Sequence, residues 1–125
     1  MYELKKYDDA IKYWKKTIEL SPQYHFGYNN LGNVLQDKGR LGEAVEAHRK
    51  SVLLKPDYAE AYNSLGNTLN ILGKVSVGIK YFEKAIEINP NFAEAYNSLG
   101  NAYKKTKQRD KSLTYFKKAM ELKPN

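Results

Sequence analysis

The chain has no cysteine among its 125 residues, a single tryptophan and only four prolines. Without thiols, disulfide frameworks, thiolate zinc sites and cysteine nucleophiles are excluded, and the redox compartment stays open. No run of eighteen apolar residues occurs, and the N-terminal "MYELKKYDDA" lacks the apolar stretch and small-residue cleavage site of a secretory signal. An Asn-x-Ser/Thr acceptor is also missing. A soluble, cytoplasmic protein with no membrane span is the expectation. The two histidines, His25 and His48, have no carboxylate at a ligand spacing, so both are expected to be structural, with no metal and no other cofactor. No Ser/His/Asp constellation stands out, and the "LGN" segments lie inside helical patterns rather than after strands, so they are not phosphate loops. A chain without enzymatic activity is expected.

The prolines carry the organisation. Pro22, Pro56, Pro90 and Pro124 are spaced by 34 residues throughout. Aligned on them, the units begin "HFGYNNLGNVL", "AEAYNSLGNTL" and "AEAYNSLGNAY". This is an internal repeat: three full units over 23–56, 57–90 and 91–124, preceded by a partial unit over 1–22, which together make one domain. Tyr28, Leu31, Gly32 and Leu35 recur at i, i+3, i+4 and i+7, as do Tyr62, Leu65, Gly66 and Leu69, then Tyr96, Leu99, Gly100 and Tyr103. These define one face of a first helix per unit. A second helix carries small, ring and small residues: Ala44, His48 and Ser51, then Gly78, Phe82 and Ala85, then Ser112, Phe116 and Ala119, with Ala10, Trp14 and Thr17 in the partial unit. Small groups let helix axes approach, and rings fill the space beside them. Gly39 and Gly73 mark turns, and each proline closes a second helix. The pattern predicts seven helices, over 8–20, 25–38, 41–54, 59–72, 75–88, 93–106 and 109–122.

This combination resembles the tetratricopeptide repeat over the whole chain. The resemblance implies an all-α superhelix of antiparallel helix pairs, a protein- or peptide-binding scaffold whose first helices line a concave groove. His48 in place of the usual ring, Gly78 in place of alanine, and "KTKQRDKS" without a turn glycine depart from the family pattern. Chaperone-binding members hold a carboxylate terminus with a clamp whose places here fall on Asn29, Asn33, Ser64, Glu94 and Ser98; only Asn33 fits, and Glu94 would repel an anion, so that activity is rejected.

The faces turned from the leucines repeat too. At 100° per residue, Asn29 with Asn33, Asn63 with Asn67, and Asn97 with Asn101 form two rows of asparagines, flanked by Glu60, Glu94, Gln36, Asn70 and Lys104. Asparagine costs roughly 0.5 kcal/mol or more against alanine in a helix interior, so helicity does not explain six of them. Each amide offers a donor and an acceptor, the complement of an extended peptide backbone. Such rows are similar to those of superhelical members such as the repeat region of O-linked N-acetylglucosamine transferase. An extended peptide or a helix in this groove is therefore the expected partner.

The net charge of +7 is uneven: +1 over 1–22, +2 over 23–56, −1 over 57–90, and +5 over 91–124, where eight basic residues meet three acidic ones. RNA binding through the Lys104 to Lys118 end is one alternative. It is not favoured, because a nucleic-acid surface spreads its charge along a groove and most of the eleven tyrosines fall on core-facing or junction positions. The chain opens on a second helix without its first. This leaves two further readings: a recognition arm of a larger enzyme such as a glycosyltransferase, or a homo-oligomer joined through uncapped ends near Tyr7, Trp14, Tyr115 and Met120.

Overall fold

The computed structural model describes residues 4–123, which form seven α-helices and no strand: α1 Leu4–Leu20, α2 His25–Lys38, α3 Leu41–Leu54, α4 Ala59–Ile71, α5 Val75–Ile88, α6 Ala93–Lys105 and α7 Arg109–Leu122. The sequence expectation for α1 was four residues short at its start, because the stripe of Ile11, Trp14 and Ile18 that seats it near Leu31 and Leu35 keeps helical spacing back through Tyr7. Pro124, the last of the four prolines, lies outside the described residues.

The stops have local causes. Lys55, Asn89 and Lys123 each precede a proline and are extended, with φ of −138°, −131° and −146°, because the proline ring disfavours the helical region for its predecessor. Between the two helices of a unit, Gly39 and Gly73 adopt φ of 90° and 87°. Paired backbone bonds close these turns, Gly39 N–H to Gln36 O with Arg40 N–H to Leu35 O, and Gly73 N–H to Asn70 O with Lys74 N–H to Leu69 O. The third unit closes the same way without glycine: Lys107 takes φ 61° and donates to Lys104 O, while Gln108 donates to Tyr103 O.

Consecutive helices pack pairwise, and α4 also touches α2 and α6, whereas α1, α3, α5 and α7 do not touch one another. The stack therefore fans open on one side and is concave on the α2/α4/α6 side, a superhelix of antiparallel pairs. Within each pair the first helix presents a glycine to a ring. A Cβ on Gly66 would stand 2.6 Å from Phe82 Cε1 and 2.9 Å from Gly78 O; one on Gly100 would stand 2.7 Å from Phe116 Cδ1. Phe82 is fully buried and joins Leu99, Ala102 and Tyr103 across the junction to the next unit. Burial of such a ring contributes about 2–3 kcal/mol. Gly78 is explained by the same approach, since a Cβ there would meet Gly66 O at 2.8 Å. At the matching place in the third unit, Ser112 Oγ donates to Gly100 O at 2.8 Å.

In the first pair the ring is His48, fully buried under Gly32. Its Nδ1 lies 3.0 Å from Asn29 Oδ1, so the neutral tautomer with the proton on Nδ1 donates there and leaves Nε2 as a buried lone pair without a partner. Burial lowers the His48 pKa from 6.5 to about 4. Among the described residues, no helix is long and apolar enough to cross a membrane, and no group of three or more metal-ligating side chains occurs.

Gly66→Ala is expected to lower unfolding free energy by about 1–3 kcal/mol in urea titrations, because backbone and ring both oppose the methyl group. Gly42→Ala, on α3 with open space around it, is expected to leave stability unchanged or raise it by up to about 1 kcal/mol. Lys107→Gly is expected to raise the thermal midpoint, relieving about 1 kcal/mol of left-handed strain. For His48 the unfolded chain binds the proton more tightly than the folded one. Stability is therefore complete above pH 6.5 and falls as pH drops from 6.5 toward 4, by about 3 kcal/mol at most. His48→Phe should flatten that part of the stability–pH curve, and an unchanged slope would remove His48 as its source.

Candidate functional site

On the concave side the first helices leave a cleft of about 640 Å³. Helix α2 contributes Asn29 and Asn33, and the approach to α4 and its first turns contribute Asp57, Tyr58, Ala59, Glu60, Asn63 and Ser64. The end of α5 and start of α6 add Ile88, Asn89, Phe92 and Glu94. The cleft thus spans three units, and its walls are amides, hydroxyls and carboxylates over a few apolar side chains.

Of the residues expected from sequence, this cleft brings together Asn29, Asn33, Asn63, Glu60 and Glu94. Two of the asparagines sit deeper than a groove surface. Asn29 is only 4% exposed, and its oxygen is taken by His48, so it forms the cleft floor rather than a free amide. Asn70 is buried in the last turn of α4, where the backbone passes close to Gly78 of α5, and its Oδ1 has no partner. It follows Leu69 by one residue and is carried round toward α5 rather than the groove. Asn67 is half-buried and Asn101 exposed, and neither lines the cleft. Asn97 lines a separate hollow of about 440 Å³ on the open face of α6 and α7, with Glu94, Phe116, Met120 and Lys123. Lys104 lies at the far end, beside Lys107 and Arg109 in a hollow of about 450 Å³. Gln36 is engaged in the stack itself, accepting from Thr68 Oγ1 and so tying α2 to α4.

Tyr58 was legible only as a junction aromatic, yet it is central to the cleft. It is 8% exposed, its ring meets the His25 ring edge-on at 4.9 Å, and its hydroxyl lies buried beside the Asn29 amide without closing a hydrogen bond. Burial pushes the phenol pKa up and Glu60 adds to that, while the Asn29 amide beside the hydroxyl works in the opposite direction. Asn63 Oδ1 is likewise buried without a partner. The sequence signal for this residue was the recurrence of an aromatic two places after each proline, at Tyr24, Tyr58 and Phe92.

The carboxylates differ in how they are held. Lys55 reaches Asp57 at 3.1 Å and keeps its carboxyl below the ordinary range. Lys123 approaches Glu94 only to 3.9 Å, both side chains being well exposed. Glu60 has no ion pair among the described residues. The tyrosines outside the cleft are occupied with packing: Tyr103 stacks on Tyr115 at 5.5 Å and Tyr62 on Tyr81 at 6.2 Å, while Tyr13 is exposed.

Comparison with known proteins agrees with this architecture. A family model described as TPR repeat matches residues 1–39, 32–73 and 66–107, and one described as Tetratricopeptide repeat matches 93–125. No curated protein matches the chain. Among solved structures, a crystal structure of MamA superposes with a TM-score of 0.86 at 34% identity over 95% of this chain and 70% of that one. A second MamA crystal structure gives 0.83 at 34% identity, over 94% of this chain and 64% of that one. The MamA RS-1 ArsTM double mutant gives 0.83 over 97% of this chain and 68% of that one, and at 24% identity it speaks for the fold alone. The chain thus spans about two thirds of the length of these neighbours. With a 34-residue period, glycine-to-ring pairs and matching models along its length, the chain belongs to the tetratricopeptide repeat family.

Proposed function

We propose that the protein is a non-enzymatic interaction scaffold that holds an extended peptide in the cleft formed by Asn33, Asn63 and Tyr58. One observation carries this reading: at the cleft wall the Asn63 oxygen is buried without an intramolecular partner, and the buried Tyr58 hydroxyl has only the Asn29 amide beside it, in no well-formed hydrogen bond. An unmet buried polar group costs about 1–3 kcal/mol, so a molecule that supplies the missing bonds recovers that cost on binding. A peptide backbone presents alternating N–H and C=O groups at a spacing that side-chain amides and a phenol can meet. The carboxylate-clamp activity is not part of this reading, because a glutamate, Glu94, stands where an anion-holding cation would be needed.

The hollow on the open face of α6 and α7 is a second surface, suited to a further helix. For end-to-end association of two copies its charge is unfavourable, since the terminal unit is net +5 and the opening segment net +1.

Peptides selected on the native chain from a random nonapeptide library test the proposal. Against a selected peptide, Tyr58→Phe and Asn63→Ala are each expected to weaken binding about fivefold, the worth of one net hydrogen bond of about 1 kcal/mol. Asn101→Ala, outside the cleft, should leave it unchanged. Tyr58→Phe should also leave the free protein as stable or more so, because it deletes an unmet hydroxyl. Binding that survives both cleft substitutions would place the peptide elsewhere.

A further inference from the structure

The cleft has a chemical bias that a neutral peptide-binding groove does not require. Although the protein carries net charge +7, no lysine or arginine lines this cleft, and three carboxylates, Asp57, Glu60 and Glu94, do. Glutamates in the first turn of a helix are ordinarily explained by the macrodipole, and α4 and α6 each bring about half a positive charge to their starts. Lys55 further offsets Asp57 at 3.1 Å. What remains is Glu60, unpaired, and Glu94, met by an exposed lysine no nearer than 3.9 Å. An exposed pair of that kind is worth little and is readily displaced.

The neutral groups point the same way. Tyr58 is more than nine-tenths buried in the cleft wall, its hydroxyl beside the Asn29 amide, and Asn63 adds an unpaired acceptor oxygen. An unmet amide oxygen and free carboxylates in one cleft call for a ligand rich in donors. Guanidinium and ammonium groups are donors with no acceptor at all. A carboxylate or phosphate would face Glu60 and Glu94 with no cation in the lining to receive it.

We infer that the cleft selects an extended peptide by an arginine or lysine side chain seated at Glu60, with Glu94 as the second carboxylate and Asn33, Asn63 and Tyr58 holding the adjoining backbone. This rests on the peptide-groove reading above and adds the chemistry of the partner. The overall positive charge makes the bias diagnostic, since long-range attraction would favour anionic peptides and only the local cleft favours cationic ones.

The test uses the full chain and four nonapeptide pools, each with a fixed central residue (arginine, lysine, alanine or glutamate) and flanks randomised among glycine, alanine, serine and asparagine, with binding read by fluorescence anisotropy. Arginine and lysine pools are expected to bind about three- to tenfold more tightly than the alanine pool, and the glutamate pool more weakly still. Glu60→Gln should abolish the preference of the arginine and lysine pools over the alanine pool. Glu87→Gln, which changes net charge equally but lies outside the cleft, should preserve it. Equal binding of all pools, lost with Tyr58→Phe, would overturn the cation preference and leave the groove reading standing. A preference reduced equally by Glu87→Gln would also overturn it, as an effect of bulk charge. Failure of every pool to bind would overturn both. A concentration-dependent dimer in light scattering that Glu60→Gln dissolves would make the occupant a second copy of the chain and overturn the peptide assignment.

Discussion

The close approach of each first helix to its partner, glycine against ring, is the contact on which the other features of this structure depend. Gly66 rests on Phe82 with no room for a methyl group, and Gly78 faces Gly66 O across the same gap. With no side chain between them, the helix axes are held at a fixed separation, and dispersion contacts along the seam are dense. That seam also fixes rotation. Once Leu65, Gly66 and Leu69 are committed to the core, Asn63 and the first-turn residue Glu60 are left for the concave side. The groove is thus a by-product of packing, and its geometry is as rigid as the core that imposes it.

The fold was almost wholly legible in the sequence because it is periodic. A 34-residue interval between prolines gives the unit, the i, i+3, i+4, i+7 spacing gives the faces, and Gly39 and Gly73 give the turns. Even the departures kept their places: His48 occupies the ring position, and Lys107 adopts the left-handed turn that glycine fills elsewhere. Local chemistry could differ because the repeat constrains the backbone at these points more strongly than the residue does.

The cleft was legible only in part, for the opposite reason. Periodicity assigns every repeat the same face, whereas a binding surface depends on what stands next to it. Asn29 and Asn63 are equivalent by register, yet His48, nineteen residues along and on another helix, takes the Asn29 oxygen, while Phe82 leaves Asn63 Oδ1 with nothing to bond. The peptide "AEAYNSLGN" occurs twice, letter for letter. Its first copy, between two units, contributes Glu60, Asn63 and Ser64 to the cleft; its second adds Glu94 there but turns Asn97 to an open face. No reading of one segment could separate those environments, since the difference lies in the neighbour.

The same reasoning explains why unmet polar groups persist at the cleft. In an isolated helix pair, a buried phenol and amide oxygen without partners would cost a large fraction of a marginal stability. In a stack, each seam adds a ring, buried at His48 and Phe82 and half-buried at Phe116, so the free energy of the whole grows with the number of units while the cost stays at one junction. A repeat protein can therefore keep one poorly satisfied junction within a well-packed array. The junction that is least complete in the free chain is the one with most to gain from a partner. In this molecule it lies where Tyr58, Asn63 and Glu60 meet.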